Sequence, residues 1–70
     1  MSNAIEITVN GESRQVSSGT TIASLLATLE IDGERVAVEL NRRIIRRPDW
    51  PFTEVTASAE LEIVHFVGGG

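Results

Sequence analysis

The segment that decides the fold is LEIVHFVGGG, residues 61–70. Its first seven residues form the longest β-prone run of the chain, and three glycines follow without a spacer. A sheet in so small a protein must place its most apolar strand at the centre, where that strand is covered best. The segment therefore predicts a central strand at 61–67, a folded domain over residues 1–67 and a flexible glycine tail over residues 68–70.

The side chains of that strand indicate a docking surface. Successive residues of a strand point to opposite faces, so Val64 and Phe66 point outward if Leu61 and Ile63 enter the core. Exposed apolar side chains in a small protein often mark an interface. We therefore predict that Val64, Phe66 and Val67 contact a partner, the alternative being that they pack against a neighbouring loop.

The first half of the chain predicts a hairpin followed by a helix. Apolar and polar residues alternate over Ile5–Val9, and Asn10-Gly11 favours a type I′ turn into a polar return strand over Glu12–Val16, at or near the edge of the sheet. Thr21 is the candidate N-cap of an amphipathic helix that runs from Ile22 to Glu30 or Ile31. We expect Asp32-Gly33 to end this helix, because glycine readily adopts the left-handed conformation.

The remaining segments complete an α+β domain. Val36–Leu40 alternates as a third strand, and Ile44-Ile45 follows a turn as a short fourth strand. Pro48–Pro51 is incompatible with the interior of a helix or a strand, so we expect a surface turn in which Trp50 covers the core. Thr53–Thr56 is a candidate brief strand. The order predicts a mixed sheet of four to five strands packed on one main helix.

The composition excludes several classes of function. The 70 residues contain no cysteine, so disulfides, thiolate metal sites and cysteine nucleophiles are ruled out. The single histidine, His65, has no second histidine to share a metal ion, and no base–nucleophile pair stands out; we predict neither a metal site nor catalytic residues. No apolar run is long enough to span a membrane, and residues 1–4 do not resemble a signal peptide, so we expect a cytoplasmic protein.

The charge distribution argues against nucleic-acid binding. The net charge is −4, and only three aromatic side chains are present. Four of the six basic residues cluster as Arg42, Arg43, Arg46 and Arg47, leaving the rest of the chain strongly acidic. Nucleic-acid interfaces combine a basic face with stacking aromatics, which this chain lacks. The arginines are either an electrostatic docking site for an acidic partner or a solvated turn that balances the acidic remainder.

The glycine tail, which consists of Gly68, Gly69 and Gly70, predicts a reactive terminus. Three extended residues reach about 10 Å, and without side chains they can enter a narrow channel. Gly68 and Gly69 would act as the flexible arm that places the carboxylate of Gly70 in the active site of another protein. Activation there, for example as an acyl-adenylate made from ATP, would make the carboxylate reactive. The alternative is a frayed terminus without a role.

These features together resemble the ThiS family of sulfur carriers, within the ubiquitin-like β-grasp superfamily. The likeness extends over nearly the whole chain and is carried by VNG (9–11), TIASLL (21–26), VAVELN (36–41), IIRRPDW (44–50) and EIVHFVGGG (62–70). Two positions depart from the family pattern. Ser24 stands where the family often has the glutamate of a capping box, and Ala57–Glu60 replaces an Asp-Gly-Asp type of turn.

The resemblance implies a mechanism. An E1-like adenylating enzyme of the ThiF type would use ATP to adenylate Gly70, a persulfide donor would supply sulfur, and the resulting thiocarboxylate would be delivered to a ThiG-type thiazole synthase. The chain would be a protein co-substrate that binds no cofactor itself, and we expect a monomer when it is free. Two alternatives stay open: a sulfur carrier for molybdopterin or another sulfur-containing cofactor, and a non-conjugating ubiquitin-like docking module.

Overall fold

The computed structural model describes residues 3–67 and shows one mixed five-stranded sheet with an α-helix on one face. The strands are β1 (Ala4–Val9), β2 (Glu12–Ser17), β3 (Val36–Leu40), β4 (Arg43–Ile45) and β5 (Glu60–His65), and the helix is α1 (Ile22–Thr28). Their order in the sheet is β2-β1-β5-β3-β4. The predicted central position of the last strand and the edge position of the hairpin's return strand are both confirmed.

The last strand is central but shorter than predicted, since β5 ends at His65 and not at Val67. It pairs parallel with β1 on one side and antiparallel with β3 on the other. The two partners end before Phe66, although the N–H of Phe66 still donates to the carbonyl of Arg35 (2.9 Å). Strand β5 is therefore held on both sides at its start and on one side at its end.

Two hairpins turn on residues with positive φ. The first joins β1 to β2 through Asn10 (φ 50°) and Gly11 (φ 81°), as predicted for a type I′ turn. The second joins β3 to β4 through Asn41 (φ 51°) and Arg42 (φ 70°). Asparagine tolerates this region better than most residues. Arg42 does not share that tolerance, and the second turn carries local strain for that reason.

Helix α1 begins as predicted and ends earlier. The Oγ1 of Thr21 accepts from the N–H of Ser24 (3.1 Å), while the Oγ of Ser24 accepts from the N–H of Thr21 (2.9 Å). Ser24 thus completes the capping box that its identity was not expected to supply. At the other end, Glu30 takes the left-handed conformation (φ 58°) and the N–H of Ile31 donates to the carbonyl of Leu26 (2.9 Å).

The N–H of Glu30 also donates to the carbonyl of Ala27 (3.1 Å), and the two bonds form a Schellman motif. The prediction that Asp32-Gly33 ends the helix is therefore wrong. The apolar side chain of Ile31 packs against the core and fixes the chain reversal three residues earlier than glycine would have suggested. Asp32 instead caps a 3₁₀ helix over Gly33–Arg35, where its carboxylate accepts from the N–H of Glu34 (3.0 Å).

The proline-containing segment is also helical, which corrects the expected surface turn. Residues Arg47–Phe52 form a 3₁₀ helix that carries Pro48 and Pro51. Proline is compatible with the start of a helix, and short 3₁₀ helices require few N–H donors. Trp50 covers the core as predicted, and its Nε1–H donates to the carbonyl of Ile45 (2.8 Å). The predicted strand at Thr53–Thr56 is reduced to a single bridge between Glu54 and Thr21.

The core lies between α1 and one face of the sheet. It consists of twelve buried apolar side chains: Ile7, Val9, Ile22, Leu25, Leu26, Val36, Val38, Trp50, Val55, Ala59, Leu61 and Ile63. No polar or charged residue among residues 3–67 is buried. Within the same range, no helix is long and apolar enough to cross a membrane. The opposite face of the sheet, which we call the outer face, has no helix of the described residues packed on it.

Gly33→Ala is expected to destabilise the domain by about 1–3 kcal/mol, because a Cβ at this position overpacks the core. The added atom would lie 2.8 Å from Cζ3 of Trp50. The indole is buried and fixed by its hydrogen bond to Ile45, so it cannot move away cheaply. Urea unfolding measures the loss. The penalty should shrink in a Trp50→Leu background, and an equal penalty in both backgrounds would contradict this explanation.

Candidate functional site

The candidate site is built around the end of β5, after which the glycine tail begins in the sequence. Three apolar side chains near this end are exposed: Val64 by 54%, Phe66 by 61% and Val67 by 96%. We call them the tail-side patch. Strand alternation predicted that Val64 and Phe66 would point away from the core, and their exposure confirms it. Their contact with a partner is not shown by this arrangement and stays a prediction.

The predicted tail falls outside the residues that the structure describes. This applies to Gly68 and Gly69, which were predicted as the flexible arm, and to Gly70, which was predicted as the adenylated and sulfur-carrying terminus. The description ends at Val67, so the site is described up to the residue that precedes the tail. The roles of all three glycines therefore stay predictions.

The outer face continues the patch across the sheet. Val64 lies opposite Ala37 on β3, and Glu62 lies opposite Glu39, which in turn lies opposite Ile44 on β4. Ile44 is also largely exposed. The outer face thus carries exposed apolar side chains at Val64 on β5 and Ile44 on β4. Two glutamates lie directly opposite each other on β3 and β5.

Directly opposed like charges destabilise a sheet, so the Glu39–Glu62 pair has no favourable role in the fold. The structure gives neither carboxylate a basic partner within residues 3–67, where the recorded ion pair joins Arg35 to Asp32 (3.6 Å). A cationic side chain of another protein would relieve the repulsion. The outer face therefore fits a partner surface that is apolar with basic groups between its apolar contacts.

The side chain of Asn10, at the end of β1, holds the neighbouring strand β5 at Ile63. Its Nδ2–H donates to the carbonyl of Ile63 (3.2 Å), and its Oδ1 accepts from the N–H of Ile63 (2.7 Å). The side-chain amide thereby makes the two hydrogen bonds to β5 that the backbone of one further β1 residue would have made. Its own backbone N–H donates to the carbonyl of Leu61 (2.9 Å). Asn10 is thus the last residue that holds β5 on its β1 side.

The four clustered arginines do not join the tail-side patch as a group. Arg42 and Arg43 lie at the β3–β4 turn, next to the start of β5, where Asn41 accepts from the N–H of Glu60 (2.9 Å). Arg46 and Arg47 follow β4 at the edge of the sheet, and all four side chains are exposed. A docking role for this cluster stays a prediction. The structure places Arg42 and Arg43 at the end of β5 that is remote from the tail-side patch.

Two further features of the described residues are the single histidine and a groove beside α1. His65 is exposed, and no group of three potential metal ligands occurs within residues 3–67. A groove of about 380 Å³ lies between β2 and α1, lined by side chains that include Val16, Leu25 and Thr28. None of its described lining residues is ionisable.

Sequence reasoning missed two elements of the site. Asn10 was identified only as a turn residue, and its contact with Ile63 spans 53 positions in the sequence. Ile44 was expected in a strand, but its exposure on the outer face follows from the register of β4, which no local pattern sets. For Asn10, the only signal of a second role was the choice of asparagine, since Gly-Gly would also have formed the turn.

Comparison with known proteins gives a consistent family. Residues 4–70 match the ThiS family. The chain is 42% identical over 50 residues to the sulfur carrier protein ThiS of Bacillus subtilis, covering 71% of this chain and 76% of that protein. The crystal structure of the thiamine biosynthesis protein ThiS from Geobacter metallireducens superimposes with a TM-score of 0.79 at 33% identity, covering 94% of this chain and all of that one.

A second group of relatives is much longer. The thiazole synthase of Paramagnetospirillum magneticum is 38% identical over 66 residues, which are 94% of this chain and only 20% of that protein. The thiazole synthase of Magnetococcus marinus matches over the same shares at 36% identity. The chain thus spans about a fifth of the length of these relatives, which carry a region similar to it within one polypeptide.

Proposed function

The chain belongs to the ThiS family, a family of sulfur carriers in thiamine biosynthesis with a ubiquitin-like β-grasp fold, and on that premise we propose that its sulfur is carried by the carboxylate of Gly70. The observation that carries the proposal is the placement of the glycines. In the sequence, Gly68 and Gly69 lead from the central strand and its exposed apolar patch to Gly70.

The proposed chemistry needs an activating enzyme with ATP, a persulfide donor and a second thiol, and no cofactor bound to this chain. An E1-like enzyme of the ThiF type joins the Gly70 carboxylate to the α-phosphate of ATP, and pyrophosphate leaves. The terminal sulfur of a persulfide then attacks the carbonyl carbon, and AMP leaves. A second thiol cleaves the sulfur–sulfur bond, so that a thiocarboxylate stays on Gly70 and a disulfide forms. The chain is a co-substrate in these steps and not a catalyst.

We propose a thiazole synthase as the acceptor of this sulfur. The support is the similarity of this chain to part of two long thiazole synthases. Proteins that act together are sometimes joined in one polypeptide, because linkage raises the effective concentration of one for the other. The tail-side patch would provide the contact that brings Gly70 to the acceptor.

The experiment is the intact mass of the chain after incubation with a ThiF-type enzyme, ATP and a persulfide donor. We expect a mass increase equal to the replacement of one oxygen by sulfur. The matched control lacks Gly70. It should show no such increase if the terminal carboxylate must reach a fixed depth in the active site of the enzyme. Omitting ATP should also prevent it. An unchanged mass with an enzyme that is active on another carrier would contradict the proposal and favour a docking module.

A further inference from the structure

The side of β5 that faces β1 is open at its end. Two hydrogen bonds show which backbone groups of this segment face β3. The N–H of Asn41 donates to the carbonyl of Glu60 (2.7 Å), and the N–H of Phe66 donates to the carbonyl of Arg35 (2.9 Å), so the backbone groups of Glu60 and Phe66 face β3. Backbone groups alternate in direction along a strand. The N–H and C=O of His65 therefore point away from β3, toward the β1 side.

Within residues 3–67, neither a strand pairing nor a hydrogen bond reaches His65 on that side. Strand β1 ends at Val9, level with Leu61, and the side chain of Asn10 reaches only as far as Ile63. The chain then turns back through Gly11 into β2. The centre of the sheet thus presents a short free edge at His65, and in an extended chain the N–H of Val67 continues it on the same side.

The composition of the tail determines how a partner can hold it. Residues 68–70 have no side chains, so a partner can make specific polar contacts with them only through backbone hydrogen bonds and the carboxylate of Gly70. A partner can hold such a chain extended by offering its own backbone as a neighbouring strand.

We propose that the edge at His65 and Val67 is a strand-addition site for an extended segment of the thiazole synthase that receives the tail. This inference rests on the proposed function. The partner segment occupies the position that β1 leaves beyond Asn10, and it pairs with the backbone of His65 and Val67. Asn10 defines the lower limit of the site, because its amide already satisfies the backbone of Ile63.

The test replaces one backbone amide by an ester in a chemically synthesised chain. An ester at the Val64–His65 bond removes the N–H of His65, which the sheet does not use. The matched control is an ester at the Arg14–Gln15 bond. Gln15 lies opposite Glu6 on the edge strand β2, and its N–H likewise faces outward, at an edge remote from the tail-side patch. Both esters weaken one carbonyl acceptor within the sheet, so their effects on stability should be alike.

Affinity for the thiazole synthase encoded in the same genome is the readout. We expect the His65 ester to bind about 3- to 10-fold more weakly than the control ester, because this is the loss of affinity that the removal of one interface hydrogen bond usually causes. In the unmodified chain labelled with ¹⁵N, amide exchange at His65 and Val67 should slow in the complex, while that at Gln15 should not. Equal affinity of the two esters, or unchanged exchange at both His65 and Val67, overturns the inference. If the unmodified chain fails to bind an active thiazole synthase, the proposed acceptor is wrong as well.

Discussion

Asn10→Ala is expected to lower the free energy of unfolding by about 2–4 kcal/mol, one of the largest losses available from a polar residue of this domain. The substitution removes both hydrogen bonds to the backbone of Ile63 and leaves that N–H and C=O without partners in a partly buried position. It also places alanine at φ 50°, where a Cβ without a compensating hydrogen bond is strained. A 70-residue domain has only about 4–10 kcal/mol of stability, so the loss should be a large share of the total.

Asn10→Gly separates the two contributions. Glycine accepts the positive φ without strain, so it should recover about 1 kcal/mol of the loss while the hydrogen bonds stay absent. Asn10→Asp keeps an acceptor for the N–H of Ile63 and loses the donor, and we expect an intermediate value. Urea unfolding, with the slope held equal between variants, is the measurement. An Asn10→Gly variant as stable as the parent would show that the amide contributes nothing to the fold.

The importance of Asn10 shows where sequence reasoning stops. The Asn-Gly pair predicted the turn correctly, because positive φ at both positions is a local requirement. The second role of the same side chain depends on a parallel strand 53 positions away and on its register. Register is set by which apolar faces meet in the core, and this is not encoded in the residues next to Asn10.

The end of α1 illustrates a competition between two local signals. Gly33 favoured a helix stop because glycine adopts left-handed backbone at low cost. The chain instead places Glu30 in that conformation, since doing so brings Ile31 against the core. Ile31 is only partly buried, so its apolar contacts contribute a part of the ~1.5–3 kcal/mol of full burial. Together with the hydrogen bonds that close the end of the helix, they offset the roughly 1–2 kcal/mol cost of a non-glycine residue at positive φ. Gly33 is needed for a different reason, its close approach to Trp50.

Some features of the candidate site could be predicted from one strand, and others depend on its neighbours in the sheet. The outward direction of Val64 and Phe66 was predictable, because alternation along one strand requires no knowledge of its neighbours. The opposition of Glu39 and Glu62 and the free edge at His65 both depend on how β1, β3 and β5 are offset. Those offsets arise only when the complete sheet forms around its core.

Phe66→Arg is expected to weaken capture by the activating enzyme or the thiazole synthase by about 30-fold or more, the effect of losing a central aromatic contact at an interface. The side chain is 61% exposed and follows the last residue of β5, so arginine there removes apolar contact area and must be desolvated on binding. The fold should be little affected, because substitutions at exposed positions usually change the free energy of unfolding by less than about 0.5 kcal/mol.

Phe52→Arg is the matched control, since it makes the same chemical change at an aromatic residue that is 86% exposed. Phe52 ends the 3₁₀ helix next to α1, on the side of the sheet away from the outer face. Both variants add one positive charge, so a loss of affinity that arises from net charge alone would appear in both. A loss confined to Phe66→Arg, with unchanged urea unfolding, assigns the contact to the tail-side patch. If Phe66→Arg unfolds the domain, Phe66 supports the end of β5 instead, and if both variants bind like the parent, docking must use another surface.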